Sequence, residues 1–191
     1  KWDSPIDLEA RIRTCSAYLV DRVLPMLPEK LCNNVCSLRP AEDRLAMSVK
    51  MKLSSSGKIF GATAMNSVIR SRARLSYDQV DSYLQGDTSA LDSAVPREDT
   101  GAIKEMINVL NQIRALREEI REKRGSVDFE SVETHVVLDE NNKPVGVSVR
   151  ERTQATGLIE EAMLAANESV AHMLSQHDLE SAYRVHEQPS P

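Results

Sequence analysis

An alternating segment in the first third of the chain constrains the fold most. Apolar side chains occupy every second position, with small or polar residues between them: Leu45, Met47, Val49, Met51 and Leu53. A period of two is typical of a β-strand with one buried face. The Ser-Ser-Ser-Gly-Lys run at 54–58 predicts a turn, and a returning strand from Ile59 to about Ser71 completes an antiparallel hairpin.

Residues 102–124 have the periodicity of an amphipathic helix that ends before Gly125. The apolar residues recur at three- and four-residue steps: Ile103, Met106, Ile107, Leu110, Ile113, Leu116 and Ile120. The opposite face predicts a solvated set of ion pairs formed by Glu118, Glu119 and Glu122 with Arg117, Arg121 and Lys123. A coiled-coil partner is possible, but the pattern is short for one, so packing in the core is favoured.

The remaining segments predict short elements. Residues 1–40 are predicted to be mostly irregular, with a short helix over Leu8–Ser16 and Asp7 as its N-cap. Pro25 and Pro28 exclude regular helix from residues 24–28. The other predictions are a helix over Tyr77–Leu84, a polar loop over 86–100, a hairpin with strands at 135–138 and 145–149, a helix over 155–174 and a short strand near Val185. The fold class is therefore α+β, with antiparallel hairpins packed with helices.

Charge and cysteine content restrict the classes of function. The chain of 191 residues has a formal net charge of −5, which argues against a self-sufficient nucleic-acid binder, because such proteins usually carry a basic face. If the chain contacts RNA, most of the positive surface is therefore expected either outside this chain or in one local groove. Three cysteines predict a reducing, cytoplasmic setting, and Cys32 and Cys36 are interpreted as inert, partly buried thiols rather than half of a metal site. No apolar run approaches the ~20 residues of a membrane span.

Two pairs of acidic residues have alternative interpretations. Asp78 and Asp81 share a face in the helix at 77–84, where favourable interaction with the helix dipole outweighs a metal or acid–base role. In the last helix, Glu161 lies opposite an apolar stripe and is expected in solvent. Glu160 lies on the flank of that stripe in nearly the same direction as Asn167. These two residues form either a seam facing a cleft or an ordinary boundary position. The stripe consists of Ile159, Ala162, Met163, Ala166, Val170 and Met173.

Ordered sequence blocks along nearly the whole chain resemble the ribonuclease II / ribonuclease R family. They are Thr14-Cys-Ser-Ala-Tyr-Leu, Leu24-Pro-Met-Leu-Pro-Glu-Lys-Leu, Cys36-Ser-Leu-Arg-Pro, Asp43-Arg-Leu, Ser71-Arg-Ala-Arg-Leu-Ser-Tyr, Arg124-Gly-Ser-Val-Asp-Phe-Glu, Ile159-Glu-Glu-Ala-Met-Leu-Ala-Ala-Asn and Tyr183-Arg-Val-His. The resemblance implies that residues 1–191 are the central part of one RNB-like catalytic domain. The family's upstream metal-binding acids and its downstream Ser-Pro-Ile-Arg-Arg-Tyr block have no match here, and the first residue is Lys1 rather than Met.

The same resemblance implies a processive 3′→5′ exoribonuclease that hydrolyses single-stranded RNA to 5′-nucleoside monophosphates. It implies Mg²⁺ as the cofactor, with the metal ligands outside this chain, so the chain alone is expected to be inactive. The implied partner is single-stranded RNA, with no membrane and with a monomeric parent protein.

The resemblance also assigns candidate RNA-binding residues. Tyr18 matches a tyrosine beside the 3′-terminal nucleotides, Tyr77 and Glu160 match residues that contact RNA near the catalytic pocket, and Phe129 matches an aromatic that stacks on a base. Arg72 and Arg74 are candidates for local positive charge, and Asn167 joins the set through its position beside Glu160.

Two other functions remain open from the sequence. One is a non-catalytic RNA-binding relative that kept the fold and lost its acids. The other is an interaction module that uses the helix at 102–124 as a partner face.

Overall fold

A computed structural model of the chain describes residues 1–126, 133–150 and 152–183. It confirms the α+β class, with antiparallel hairpins and helices following one another along the chain. The elements are α1 (Pro5–Arg13), β1 (Ala17–Tyr18), β2 (Val23–Leu24), a π-helical turn (Leu31–Val35), β3 (Asp43–Leu53), β4 (Ile59–Arg70), α2 (Tyr77–Leu84), α3 (Ser89–Ala94), α4 (Arg97–Lys123), β5 (Glu133–Leu138), β6 (Pro144–Arg150) and α5 (Gln154–Gln176).

The long hairpin forms as predicted, with β3 antiparallel to β4 and a register shift next to the turn, between Lys52 and Leu53. Its burial differs from the prediction at the far end. Leu45 is 86% exposed and Met47 is exposed, whereas Val49 is partly buried. The alternating pattern determines which side chains share a face. How far along the strand that face is covered depends on the elements packed against it, here α4 at the turn and α5.

Helix boundaries follow their capping residues. α2 has the predicted bounds, because the Ser76 hydroxyl accepts from the Gln79 N–H and the Gln79 side chain accepts from the Ser76 N–H. The prediction for the first helix was wrong by three residues at each end. Its N-cap is Ser4 rather than Asp7, and Pro5 occupies the first turn, where a missing N–H costs nothing.

The predicted loop over 86–100 was also wrong, since it contains α3 and the start of α4. The segment is mostly polar and was therefore predicted to be a loop, but two of its side chains, Leu91 and Val95, are buried in the core. α4 therefore begins at Arg97, directly after Pro96, and is five residues longer at its start than the apolar periodicity indicated.

The hydrophobic core lies among the four helices α2, α3, α4 and α5. Its buried members are Leu91, Val95, Ile103, Ile107 and Leu158, with partly buried Ala73, Leu75, Val80, Tyr83, Leu84 and Leu110 around them. Two residues of α4 belong to this cluster, which confirms that this helix packs into the core. The core fixes the N-terminal half of α5 against α2 and α4, and the candidate site is built on that junction.

The N-terminal segment and the second hairpin complete the described chain. β5 and β6 pair antiparallel as predicted, while Val185 lies outside the described residues. All three cysteines are free thiols, but Cys15 and Cys36 are exposed, so the expectation of partial burial holds only for Cys32. In the described ranges, no helix has both the length and the apolar character needed to cross a bilayer.

Candidate functional site

The face of α5 that packs into the protein differs from the predicted one. Glu161, expected in solvent, is only 2% exposed, whereas Ile159 and Met163 of the predicted apolar stripe are both more than half exposed. The buried positions are Ala155, Gly157, Leu158, Glu161, Ala165 and Ser169. The apolar periodicity therefore indicated the wrong side of the helix, because a carboxylate with charged partners occupies the centre of the buried face.

The partners of Glu161 are two arginines of α4. The Arg121 Nε lies 3.2 Å from one carboxylate oxygen, and the Arg117 Nε lies 3.8 Å from the other. Burial raises the pKa of the Glu161 carboxyl above its ordinary value, and the positive charges of Arg121 and Arg117 oppose that rise. Arg117 is itself buried, so its predicted place in a solvated set of ion pairs was wrong.

Glu160, the neighbouring acid, is half-buried and is held by a different pair of contacts. Its Oε1 accepts from Arg121 Nη1 at 3.1 Å, and its Oε2 lies 2.9 Å from Arg152 Nη2. Asn167, two turns further along α5, is exposed. The two residues thus share a direction but have different surroundings, and Glu160 occupies a boundary position with charged partners.

These contacts belong to a continuous series of alternating charges between α4 and α5. Each carboxylate in the interior of the series lies between two guanidinium groups, and the separations range from 2.7 to 3.9 Å. In order, the series is Glu118, Arg152, Glu160, Arg121, Glu161, Arg117, Glu168 and Arg124. The series connects α4 to α5 and to Arg152, the residue before the N-cap of α5, through charged contacts.

An open cleft of about 580 Å³ lies where α2, α4 and α5 meet. Apolar side chains from α4 and α5 line it, while Arg74 and Tyr77 contribute a cation and a phenol. Tyr77 is the first residue of α2, so the Ser76 cap fixes the backbone that carries it. The apolar lining includes Met106, Ile107, Leu110, Leu158 and Ile159.

A second, polar depression of about 450 Å³ adjoins the start of α5. Both arginines that hold Glu160 line it, together with Arg114, Glu118, Thr153 and Gln154. Thr153 is the N-cap of α5, and its side chain accepts from the Thr156 N–H. The first turns of α5 therefore border the apolar cleft with Ala155, Leu158 and Ile159 and the polar depression with Thr153 and Gln154.

The other predicted site residues lie in different settings. Tyr18 is 81% exposed on the short ladder formed by β1 and β2, where it pairs with Val23. Arg72 is exposed and lies 3.5 Å from a carboxylate oxygen of Asp99. Phe129 lies outside the described residues. The structure thus gathers Arg74, Tyr77 and the α5 segment that carries Glu160, and it holds Tyr18 on a separate element.

The described residues do not fit a magnesium site. Within residues 1–126, 133–150 and 152–183, no group of three or more histidine, cysteine, aspartate or glutamate side chains is arranged to hold a metal ion. Asp78 and Asp81 diverge, because Asp78 is exposed while Asp81 is buried and bonded to the start of α5. No catalytic step through a metal follows from these side chains.

Comparison with known proteins assigns the family. The protein-family model described as the RNB domain matches residues 1–191. The chain belongs to the RNB domain family. This confirms the family indicated by the sequence blocks, and it accounts for the ordered matches along the whole chain.

Two relatives of this RNB chain are ribonuclease R proteins by name. Ribonuclease R of Thermotoga maritima is 41% identical over 100% of this chain, and Ribonuclease R 1 of Lactococcus lactis subsp. lactis is 37% identical over 98% of it. Among solved structures, Mycoplasma genitalium RNase R in complex with ribose methylated single-stranded RNA has a TM-score of 0.85 and 33% identity, covering 98% of this chain and 28% of that chain. The chain spans 26% and 22% of the length of the two named relatives.

The sequence analysis did not predict the tertiary contacts of three residues at this candidate site. Each of them contacts a residue distant in sequence, and local sequence patterns do not predict such contacts. Asp81 binds the start of α5, and both Arg121 and Arg152 contact Glu160. A weak signal existed for Asp81, because it lies between the partly buried Val80 and Leu84 rather than on the exposed side of α2.

Proposed function

We propose that the chain is the central part of one RNB catalytic domain in a processive 3′→5′ exoribonuclease that hydrolyses single-stranded RNA to 5′-nucleoside monophosphates. The observation that carries the proposal is the family match over residues 1–191. The relatives named Ribonuclease R and the solved RNase R complex with single-stranded RNA support the same substrate class.

In this proposal, the cleft between α2, α4 and α5 guides the RNA strand. Arg74 supplies positive charge for a phosphate, and Tyr77 supplies a ring and a hydroxyl at the rim. Glu160 follows Ile159 of the cleft lining in α5 and is not itself a lining residue. Its carboxylate repels phosphates, so its RNA contact is made to a neutral hydrogen-bond donor of the nucleotide. Tyr18 and Phe129 complete the set as contacts outside the cleft, at the 3′ end and at a stacked base. Arg72 and Asn167 serve as additional polar contacts.

The metal chemistry lies outside the described residues. We propose Mg²⁺ as the cofactor, bound by acids that precede this chain, and a monomeric protein acting in the cytoplasm. The free thiols Cys15, Cys32 and Cys36 fit a reducing compartment. In this arrangement the chain binds and orients RNA, and it does not hydrolyse RNA by itself.

The decisive experiment places the full-length protein on 5′-labelled single-stranded RNA, first with magnesium and then with a chelator, beside the 191-residue chain. Magnesium-dependent shortening from the 3′ end by the full-length protein, with no shortening by the chain, supports the proposal. Shortening by the chain alone would mean that the metal site lies within these residues.

A non-catalytic RNA-binding relative is the second candidate, and the net charge of −5 does not favour it as an independent binder. An inactive full-length protein that retains RNA in a gel-shift assay would favour this candidate. The coding sequence upstream of Lys1 gives a separate test. A D-x-D-D-like cluster there would support the enzyme, and substitutions of those acids would support the non-catalytic RNA-binding protein.

A further inference from the structure

The two carboxylate oxygens of Glu160 are held by different parts of the protein. Oε1 accepts from Arg121 Nη1 of α4 at 3.1 Å, while Oε2 lies 2.9 Å from Nη2 of Arg152, which precedes the N-cap of α5. A glutamate held at one oxygen still rotates about its terminal bonds. Contacts at both oxygens restrict that rotation and favour one orientation of the carboxylate.

Arg121 is in turn fixed by a buried charge. Its Nε lies 3.2 Å from Oε1 of Glu161, a side chain that is almost fully enclosed. Successive residues of a helix point about 100° apart, so Glu160 and Glu161 face different directions. The guanidinium of Arg121 nevertheless contacts both carboxylates. Because Glu161 is almost fully enclosed, its ion pair restrains Arg121, and Arg121 carries that restraint to Glu160.

The same arrangement corrects an electrostatic problem at the site. A lone carboxylate beside a strand of phosphates repels the RNA, and at half-burial that repulsion is only partly screened. Within the series from Glu118 to Arg124, four guanidinium groups balance four carboxylates, so Glu160 does not act as an uncompensated negative charge. The carboxylate therefore remains available as an acceptor without excluding the RNA backbone.

We propose that Arg121 and Arg152 are positioning residues that orient the Glu160 carboxylate for its RNA contact and offset its charge, with Glu161 as the buried anchor of Arg121. The proposal rests on the proposed function, in which Glu160 contacts RNA. The two arginines act through Glu160. They differ in this respect from Arg74, whose side chain lines the cleft and is assigned to a phosphate.

The test is a double-mutant cycle in the full-length protein, using Arg121→Gln, Glu160→Gln and the two changes together. Arg121→Gln is expected to raise the Kd and KM for labelled single-stranded RNA about 10- to 100-fold, the range for losing one charged hydrogen bond, with kcat nearly unchanged. In the Glu160→Gln background, Arg121→Gln is expected to add less than about twofold. If Arg121 had only a structural role, Arg121→Gln would lower the melting temperature. It would not raise KM at constant kcat, and its effect would be the same in the Glu160→Gln background.

Arg124→Gln is the matched control. Arg124 lies at the same end of α4 and is exposed, and it pairs with Glu168 at 3.5 Å rather than with Glu160. Its loss is expected to leave Kd within about twofold of the wild type. If Arg121→Gln does not fold, Arg152→Gln gives the same cycle, because Arg152 holds the other oxygen of Glu160.

Three results would overturn the inference. Wild-type Kd and KM in both Arg121→Gln and Arg152→Gln would show that neither arginine positions Glu160. Effects that multiply fully in the double variant would show that the arginine contacts RNA independently. Wild-type RNA binding by Glu160→Gln would remove Glu160 itself from the interface. The RNA-shortening assay remains a separate measure of the proposed enzyme, so these failures are distinguishable from failure of the function.

Discussion

The carboxylate of Asp81 accepts a hydrogen bond from the backbone N–H of Ala155 at 3.0 Å, across a sequence separation of 74 residues. Asp81 lies on α2 and is buried, and Ala155 lies in the first turn of α5, where backbone N–H groups have no partner within the helix. A carboxylate at this place also interacts favourably with the helix dipole. The contact fixes the start of α5 relative to α2, and hence the width of the cleft that Tyr77 borders.

We expect Asp81→Ala in the full-length protein to lower the free energy of unfolding of this domain by about 1–3 kcal/mol, because the Ala155 N–H is left buried without an acceptor. Asp81→Asn keeps an acceptor oxygen and should cost less. The control is Asp78→Ala, an exposed acid of the same helix. Urea unfolding followed by circular dichroism gives the values, and equal losses for Asp78→Ala and Asp81→Ala would contradict the structural role of the contact.

Gly57 should tolerate substitution poorly for two separate reasons. Its φ of +77° disfavours any side chain, and an added Cβ would lie 2.8 Å from the Leu116 Cβ on α4. We expect Gly57→Ala to destabilise the domain by about 1–3 kcal/mol more than Gly86→Ala, which has a φ of +103° and no neighbour within 4 Å. Melting temperatures measured side by side make the comparison, and equal shifts would mean that the hairpin turn is free of α4.

The stability contributed by Glu161 should depend on pH in a defined direction. Because burial raises its folded-state pKa above the ordinary value of 4.5, its contribution is complete below that value and is lost as the pH rises through the raised pKa. The free energy of unfolding of the wild type, relative to Glu161→Gln, should therefore fall as the pH increases from about 4.5.

Urea titrations at a series of pH values measure this difference. Glu119 provides a control of opposite sign, because its hydrogen bond to Lys123 lowers the pKa of its carboxyl. Its contribution is present above the ordinary value and is lost as the pH falls, although exposure to solvent makes it small. A wild-type advantage over Glu161→Gln that grows with pH would show that the attraction of Arg117 and Arg121 outweighs the cost of burial.

Tyr18→Ala should change the size of the final product of RNA digestion, since the proposed function assigns this exposed ring of β1 to the 3′ end of the RNA. Tyr18→Phe keeps the ring and should retain the wild-type product. Tyr183→Ala, which removes another exposed tyrosine, serves as the control. Denaturing gels of 5′-labelled RNA resolve the products, and an unchanged ladder for Tyr18→Ala would remove this residue from the site.

Elements whose signals are local could be predicted from the amino-acid sequence. The alternation from Leu45 to Leu53 specified the hairpin, and Ser76 with Gln79 specified the start of α2, because strand pleat and helix capping depend on residues only a few positions apart. The ordered blocks also indicated the family correctly. A match such as the one at 159–167 compares residue types in order, and it does not depend on where those side chains lie in the fold.

The buried faces and the ion pairs between elements became known from the folded structure. Periodicity treats glutamate as a solvent residue, so it could not place Glu161 in the interior, where Arg117 and Arg121 from a helix that precedes it offset the cost of burial. Leu45 shows the converse, because an apolar residue stays exposed where no other element covers it. Burial and ion pairing depend on partners distant in sequence, and their energies are fixed only when the chain brings them together.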